Sequence, residues 1–327
     1  SLLSSAALVI LTTLAPGWHE LLILRTLLGL TLSGLPAVAM TYLSEEMDAE
    51  SIGLGMGLYI SGSAIGGMSG RLVTGVLADF FGWRLGIGVV GAVGLVCGLA
   101  LWLALPPSGH FTARPLHWRS LLERFAGTFR DPGLRWLFGE GFLLLGSFVT
   151  VYNYLGYRLL APPYNLSQAA VGLIFGIYLV GTFSSAWMGN LAGKLGRRRV
   201  LWTAFALMLA GVLMTAASPL WLVIAGIAII TFGFFGGHSI VSSWTGRRGG
   251  AAKAQSSSMY LFCYYLGSSI AGASGGLFYK AHGWNGVAIF VGVLVLGGLS
   301  IAWRLRYLPP LAANVTAPTP MSRGAMP

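Results

Sequence analysis

Charged residues are scarce in this chain: they make up 9% of its 327 residues, and the acids are rarer than the bases, nine against twenty. Soluble domains carry about 25% charged residues, so an ordinary soluble fold is excluded. Hydrophobic residues account for 55% of the chain, and the mean hydropathy is +0.76. They lie in runs of about 20 residues, the length of a membrane-spanning helix, whereas a β-barrel would show short alternating segments. The composition predicts an all-α, polytopic membrane protein.

Cysteine and catalytic motifs are also nearly absent. The two cysteines, Cys97 and Cys263, both lie inside apolar runs, which argues against a disulfide framework. The chain contains no HExxH metal pair, no GxSxG elbow and no CxxC pair. We therefore expect no enzyme activity, no metal site and no cofactor.

Apolar runs bounded by proline, glycine and charge predict ten transmembrane helices. Their approximate ranges are 1–16, 20–43, 52–77, 84–105, 134–158, 168–191, 199–217, 220–243, 255–279 and 284–306. The first run is short for a bilayer and begins at Ser1, which predicts that the N-terminal part of the protein is missing from this chain.

Positive charge is concentrated on one side of the predicted bundle. Fifteen of the twenty basic residues lie in or beside the loops 106–133, 192–199 and 244–254, or near the C-terminal end. The other side carries only Arg84, Arg158 and Lys280. The positive-inside rule places the richer side, and with it the C terminus, in the cytoplasm. The net charge of +11 therefore indicates topology, and no nucleic-acid partner is expected.

Two segments of the chain repeat each other at an offset of 201 residues. The earlier copy contains Tyr59, Gly66, Gly75, Gly82, Trp83 and Gly91, and the later copy Tyr260, Gly267, Gly276, Gly283, Trp284 and Gly292. Duplicated helix bundles are typical of secondary transporters, whose substrate site lies between the halves.

The repeat divides the chain into four parts. Residues 1–105 form a partial N-terminal bundle of four helices, and residues 134–308 a C-terminal bundle of six. Residues 106–133 form a cytoplasmic linker with an amphipathic helix on the membrane surface, and residues 309–327 a disordered cytoplasmic tail. The second half has about 70 residues without a counterpart before Ser1, enough for two more helices.

Two long stretches, 40–84 and 238–287, carry a family resemblance; the first includes MGLYISGSAIGGMSGRLVTGVLADFFGWR. They resemble the major facilitator superfamily, specifically YnfM-like bacterial inner-membrane drug-efflux-type permeases, and the resemblance covers nearly all of residues 1–308. It implies ten of the usual twelve helices, four plus six. It also implies a monomeric multi-pass protein of the bacterial inner membrane that exports small organic compounds in exchange for protons, by alternating access. The alternative is a non-transporting truncated fragment that needs the missing helices for activity.

The segment Gly189-Asn190-Leu191-Ala192-Gly193-Lys194-Leu195-Gly196-Arg197-Arg198 resembles the cytoplasmic loop motif of that family. The resemblance implies a role in locking neighbouring helices and gating the cytoplasmic side, although Gly193 replaces the usual Asp. The alternative is a topology anchor, because basic residues bind lipid headgroups.

Glycines on the third predicted span, Gly62, Gly66, Gly67 and Gly70, resemble the fifth-helix motif of proton-driven exporters, with Gly67 in place of the family's Pro. Their spacing lets two helix backbones approach closely, so we expect tight packing there. Gly267, Ser268, Ala271 and Gly275 present the same small face in the second half.

Two arginines fall inside predicted spans. Arg25, four residues before Gly29, matches the family's fourth-helix motif, which implies proton coupling; the alternatives are pairing with Glu20 or anchoring at the membrane surface. Arg71 lies deeper, and Asp79 is about 12 Å away along a straight helix. An intramembrane arginine predicts a substrate or proton-network role, with anchoring as the alternative.

Two further titratable residues, Glu140 and His238, lie within predicted spans. A buried carboxylate or a histidine suits proton transfer. The alternatives are a solvated helix cap for Glu140 and a packing role for His238.

Polar and aromatic residues crowd two helices that border the central cavity in this family: Tyr152, Asn153, Tyr154 and Tyr157 on one, and Tyr260, Tyr264 and Tyr265 on the other. Such rings suit amphipathic or cationic organic substrates. Tyr157 and Tyr260 lie nearer to helix ends, where an interfacial belt is the alternative.

Overall fold

The computed structural model describes residues 1–47, 52–109 and 118–307. Within these ranges the fold is helical and contains no strand, so the predicted all-α class is confirmed. The proposed tail 309–327 and residues 110–117 of the linker lie outside the described residues. Each of the ten predicted spans coincides with a helix, with part of one, or with consecutive helices.

Among the described residues, the first half contains five helices, and a sixth lies in the linker. Their bounds are α1 Leu2–Thr12, α2 Trp18–Leu32, α3 Leu35–Glu46, α4 Ile52–Phe81, α5 Trp83–Ala104 and α6 Trp118–Thr128. The span predicted over 20–43 is thus two helices, α2 and α3, separated at Ser33 and Gly34.

The second half contains six further helices. Their bounds are α7 Pro132–Leu160, α8 Gln168–Ile174, α9 Tyr178–Leu195, α10 Arg197–Thr215, α11 Leu220–Arg248 and α12 Lys253–Arg306. A 3₁₀ turn, Phe175–Ile177, joins α8 to α9. Among the described residues, six continuous segments are long and apolar enough to cross a membrane: α5, α7, α8 to α9, α10, α11 and α12.

Both copies of the sequence repeat turn at the same place. Gly82 separates α4 from α5 with φ +83°, and Gly283 divides α12 into two arms with φ +56°. Left-handed backbone of this kind favours glycine, because a Cβ atom would clash. In each copy the following residue, Trp83 or Trp284, lies at the start of the next helical segment. The repeat therefore corresponds to one structural unit used twice.

The predicted small face of the second half packs tightly against α7. A Cβ atom added to Gly267 would lie 2.0 Å from the carbonyl oxygen of Phe142, and one added to Gly275 would lie 2.6 Å from a side-chain atom of Thr150. A Cβ added to Gly146 would lie 3.0 Å from that of Ala271. Small residues permit this close approach, which favours van der Waals packing between membrane helices.

The corresponding prediction for the first half is wrong among the described residues. Added Cβ atoms at Gly62, Gly66, Gly67 and Gly70 would meet no atom within 4 Å. A small face allows a close approach but does not itself supply the partner helix. The close contact of α4 is one turn further along, at Gly75.

The bundle has two ends. The basic end holds Asp131, Arg197 and Arg248. The opposite end holds Asp79, Arg84 and Arg158. At the basic end, Asp131 caps α7 by accepting hydrogen bonds from the amides of Gly133 (2.6 Å) and Leu134 (3.0 Å), and it pairs with Arg248 at 2.7 Å.

Candidate functional site

The two halves of the chain meet where α4 packs against α8. Arg71, Gly75 and Asp79 recur every four residues and therefore share one face of α4. A Cβ atom added to Gly75 would lie 2.8 Å from the carbonyl oxygen of Gln168 and 3.4 Å from Cα of Gly172. The backbones of the two helices are therefore in direct contact at Gly75.

Asp79 closes this contact at the opposite end of the bundle. Its carboxylate accepts hydrogen bonds from the amides of Gln168 (2.8 Å) and Ala169 (2.6 Å). These amides belong to the first turn of α8, where a helix has no internal partners for its N–H groups and attracts negative charge. A side chain of one half therefore caps a helix of the other.

Arg71 lies on the same face, two turns further into the span. Its guanidinium carbon is 4.9 Å from the ring centroid of Phe175 and 5.4 Å from that of Tyr178. The side chain is exposed, and no hydrogen bond or ion pair joins it to any described residue. Cation–π contacts of this kind contribute about 0.5 to 2 kcal/mol but leave the charge uncompensated.

An open cavity of about 580 Å³ lies beside Arg71, between the first-half helices and α8. Arg25 and Arg71 are its charged lining residues among those described, and no Asp or Glu lines it. The remaining lining is mainly apolar, with the rings of Trp83 and Phe175 and the glycines Gly66, Gly67 and Gly70. The alternative pairing of Arg25 with Glu20 does not form, since Arg25 has no hydrogen bond or ion pair in the described part of the chain.

Glu140 lies inside the second bundle, away from solvent. Its exposed fraction is 0%, and neither carboxylate oxygen has a hydrogen-bond partner among the described residues. The alternative of a solvated cap is therefore wrong. An ionised carboxylate buried without a partner is costly, so this position strongly favours the protonated form.

Tyr260 packs against the part of α7 that carries Glu140. Its ring contacts Gly141, the residue next to Glu140 in the chain. The Tyr260 hydroxyl is 2.8 Å from Nδ1 of His238, whose ring lies 4.7 Å from that of Tyr264. The structure thus brings Glu140, His238 and Tyr264 together around Tyr260.

Tyr260 was expected either beside the central cavity or in an interfacial belt. The interfacial-belt alternative is wrong for it, because its exposed fraction is 1%, whereas Tyr157 is 62% exposed. The one-turn spacing between Tyr260 and Tyr264 was a sequence signal that they share a helix face.

Tyr152 and Tyr154 point in different directions. The Tyr152 hydroxyl is 2.7 Å from Oγ1 of Thr231, and its ring lies 5.3 Å from Phe175 and 5.1 Å from Tyr178, the two rings below Arg71. The Tyr154 hydroxyl donates to the carbonyl of Gly272 (2.9 Å). Asn153 is exposed and has no hydrogen bond to a described residue. Only Tyr152 therefore joins the rings at the meeting of the two halves.

The loop motif forms the turn between α9 and α10. Gly196 has φ +92°, and Nε of Arg197 donates to Oγ of Ser243 at 3.2 Å, which connects the start of α10 to α11. A Cβ atom at Gly189 would lie 2.9 Å from Oγ of Ser239, whereas one at Gly193 would meet nothing within 4 Å. Lys194 is exposed, and Arg198 is partly exposed. The motif thus positions helices of the second bundle.

The two halves of the chain also match one known sequence family. Residues 1–164 and 143–323 each match the sequence model of the Major Facilitator Superfamily. The chain belongs to the Major Facilitator Superfamily. It is therefore a multi-pass membrane transporter and not an enzyme.

Relatives of this transporter occur in distant bacteria. It is 48% identical over 305 residues to the inner membrane transport protein YnfM of Escherichia coli strain K12, across 93% of this chain and 73% of that one. It is 44% identical over 308 residues to the uncharacterized MFS-type transporter YybF of Bacillus subtilis strain 168, across 94% of this chain and 76% of that one.

Solved transporters share the fold at low sequence identity. A bacterial homolog of the human lysosomal transporter Spinster, in an inward-facing and unoccupied conformation, has a TM-score of 0.69 at 16% identity, across 93% of this chain and 81% of that one. The Escherichia coli fucose:proton symporter FucP has a TM-score of 0.60 at 17% identity, across 94% of this chain and 82% of that one. These likenesses establish the fold of this superfamily member.

Proposed function

We propose that this transporter exports small organic compounds across the bacterial inner membrane in exchange for protons, by alternating access. The observation that carries the proposal is Glu140, a fully buried carboxylate whose oxygens have no hydrogen-bond partner in the described structure. Ionisable residues inside a membrane protein are costly and commonly belong to ion or proton pathways.

Glu140 would serve as the proton carrier. In the enclosed state the site disfavours its ionised form, so the carboxyl group holds its proton. Opening towards water lowers the cost of ionisation and releases the proton. This difference between two conformations couples proton release to the conformational change.

His238 and Tyr260 would form the proton path to and from Glu140. The Tyr260 ring packs against Gly141, the residue next to Glu140 in the chain, and the Tyr260 hydroxyl is 2.8 Å from Nδ1 of His238. Both groups can accept and donate protons. The direct control for this path is Tyr260→Phe, which removes the hydroxyl and retains the ring.

The contact between α4 and α8 supports alternating access with the opposite end closed in this conformation. Asp79, Gly75 and Arg71 hold the two halves together there. Rocking of the two bundles around a central site is the usual motion of such repeats. The surplus of Lys and Arg at the basic end supports a cytoplasmic placement of that end and of the C terminus.

The test uses inside-out membrane vesicles with an acidified interior and an acridine dye that reports the pH gradient. Addition of an exported compound is expected to dissipate the gradient, because each transport cycle releases protons from the interior. A panel of organic anions, cations and neutral compounds is tested with the unmodified chain, with Glu140→Gln and with Glu123→Gln.

Glu140→Gln should abolish the response, since an amide cannot carry the proton. Glu123→Gln, which changes an exposed acid on α6, should leave it intact. An undiminished response in the Glu140→Gln vesicles would contradict the assignment of Glu140. Net export that persists after a protonophore has removed the gradient would contradict proton coupling.

A further inference from the structure

We propose that the cavity beside Arg71 selects organic anions with a flat aromatic body. The inference rests on the proposed transport function and names its substrate class. It differs from the expectation, drawn from the aromatic rings, of an amphipathic or cationic substrate. Two features of the cavity favour such a substrate as the one proposed, an aromatic anion: the charge of its lining and the placement of the Arg71 guanidinium.

The described lining of the cavity is positively charged. The described lining of the cavity contains two guanidinium groups, Arg25 and Arg71, and no carboxylate. Asp79 lies two turns from Arg71 on the same face of α4, but its carboxylate already accepts two hydrogen bonds from the first turn of α8. Among the described residues, no carboxylate therefore compensates the positive charge of the cavity. A substrate carboxylate would compensate it and pair with a guanidinium fork through two hydrogen bonds.

The aromatic rings beside Arg71 suit a flat aromatic substrate. Phe175 and Tyr178 lie under the guanidinium of Arg71, and both contact Tyr152 at ring separations of 5.3 and 5.1 Å. A flat aromatic body gains from stacked or edge-on contact with such rings. The rings also hold Arg71 at the meeting of the two halves without supplying a negative charge.

Cationic and neutral compounds suit the charge of this cavity less well than anions do. A cationic compound would be repelled by two like charges in a lining of low polarity, where Coulomb interactions are stronger than in water. A neutral compound would leave both arginines uncompensated. The cavity volume of about 580 Å³ is within the usual range for small-molecule sites.

The test measures binding to the purified full chain in detergent at low salt, without a proton gradient. Three compounds of the same shape serve as probes: 2-naphthoate, 2-naphthamide and 2-naphthylmethylammonium. Each is titrated while the thermal unfolding midpoint is recorded, since a ligand that binds the folded state raises it in a concentration-dependent way.

We expect naphthoate to raise the midpoint and the other two compounds to leave it unchanged. Arg71→Gln should weaken naphthoate binding at least tenfold, and Arg71→Lys should weaken it less, because the charge remains without the planar fork. Arg119→Gln, at an exposed position on α6, is the matched control and should bind as the unmodified chain does.

Three results would overturn the proposal: equal stabilisation by the amide or the ammonium compound, no stabilisation by any of the three, or unchanged naphthoate binding in Arg71→Gln. If Arg71→Gln does not fold, Arg25→Gln takes its place at the other charged lining residue, with the same expected loss.

The two proposals fail separately. If naphthoate binds but no compound dissipates the proton gradient in vesicles, proton exchange is wrong and the substrate class stands. If other compounds drive proton exchange while naphthoate does not bind, the substrate class is wrong and the transport function stands.

Discussion

Arg84 and Arg158 come from different helices but bind the same part of the fold in the two halves. Arg84 donates to the carbonyls of Thr13 (3.2 Å) and Ala15 (3.3 Å), just beyond the end of α1. Arg158 donates to the carbonyl of Ala217 (2.8 Å) and to that of Thr215, at the end of α10. The last carbonyls of a helix lack internal donors and attract positive charge. Each arginine also lies over the tryptophan of its repeat, Trp83 or Trp284.

We expect Arg158→Ala to destabilise the protein more than Arg84→Ala does. Arg158 is more buried and also donates to the hydroxyl of Tyr164 at 3.1 Å, so its removal leaves more acceptors unpaired. The free energy of unfolding should fall by about 2 to 3 kcal/mol in Arg158→Ala and by about 1 kcal/mol in Arg84→Ala. Thermal unfolding in detergent measures both, with Arg119→Ala as an exposed control. Equal losses would contradict the greater role of Arg158.

Gly75→Ala and Gly70→Ala should have different effects on the thermal unfolding midpoint, although both substitutions lie on α4. At Gly75 the new Cβ atom would lie 2.8 Å from the backbone of α8, so the two halves must separate locally. At Gly70 it would meet nothing within 4 Å, and alanine favours the helix by up to about 1 kcal/mol. Thermal unfolding should show a lowered midpoint for Gly75→Ala and an equal or raised midpoint for Gly70→Ala. The reverse order would disprove the described contact of α4.

Asp79→Ala should expose the first turn of α8. The variant removes the acceptor for the amides of Gln168 and Ala169, at an expected cost of about 1 kcal/mol for a lost helix cap. Hydrogen–deuterium exchange followed by mass spectrometry should show faster exchange in residues 166–172 than in the unmodified chain. Glu123→Gln is the control and should leave the exchange rate of residues 166–172 unchanged. Unchanged protection of this segment would show that Asp79 is not its cap.

Acid should weaken the basic end of the bundle through Asp131. Partial burial raises the pKa of Asp131, but the hydrogen bonds from Arg248 and from two backbone amides outweigh it and hold the pKa below its ordinary value of 3.8. A carboxyl group with a lowered folded-state pKa contributes stability above its ordinary pKa and loses it as the pH falls through the folded-state value.

The corresponding measurement compares unfolding midpoints of the unmodified chain and Asp131→Asn between pH 6 and pH 3. The difference should be largest at pH 6 and shrink as the pH falls below about 4. A difference that stays constant across this range would show that the Asp131 charge contributes nothing.

Sequence patterns predicted local features well and contacts between helices less well. The apolar runs predicted ten spans, and each overlaps one or more helices of the structure, because the length of an apolar run is a local property. Six continuous segments of the described residues are long and apolar enough to cross a membrane. The small-residue pattern predicted close packing for both halves. It was correct at Gly267, Ala271 and Gly275, where α7 lies opposite, and wrong at Gly62, Gly66 and Gly70, where no described helix lies opposite.

The candidate site shows the same difference between local features and contacts between helices. Glu140, His238 and Tyr264 were identified individually because titratable and polar groups are conspicuous within apolar runs. Their grouping around Tyr260 was not predictable, since it depends on how α7, α11 and α12 pack. The partners of Arg71 were missed for the same reason: Phe175 and Tyr178 are ordinary aromatic residues of an apolar span until α8 is placed beside α4.

By itself, the sequence determined the helical membrane class, the approximate positions of the apolar runs, and the repeat with its Gly-Trp turns, because these depend on residues that are neighbours in the chain. Only the tertiary structure decided that Asp79 caps α8, that Arg71 lies over two rings of the other half, and that Glu140 is buried beside Tyr260. These relationships join residues far apart in the chain, and only the packing of helices determines which side chains meet.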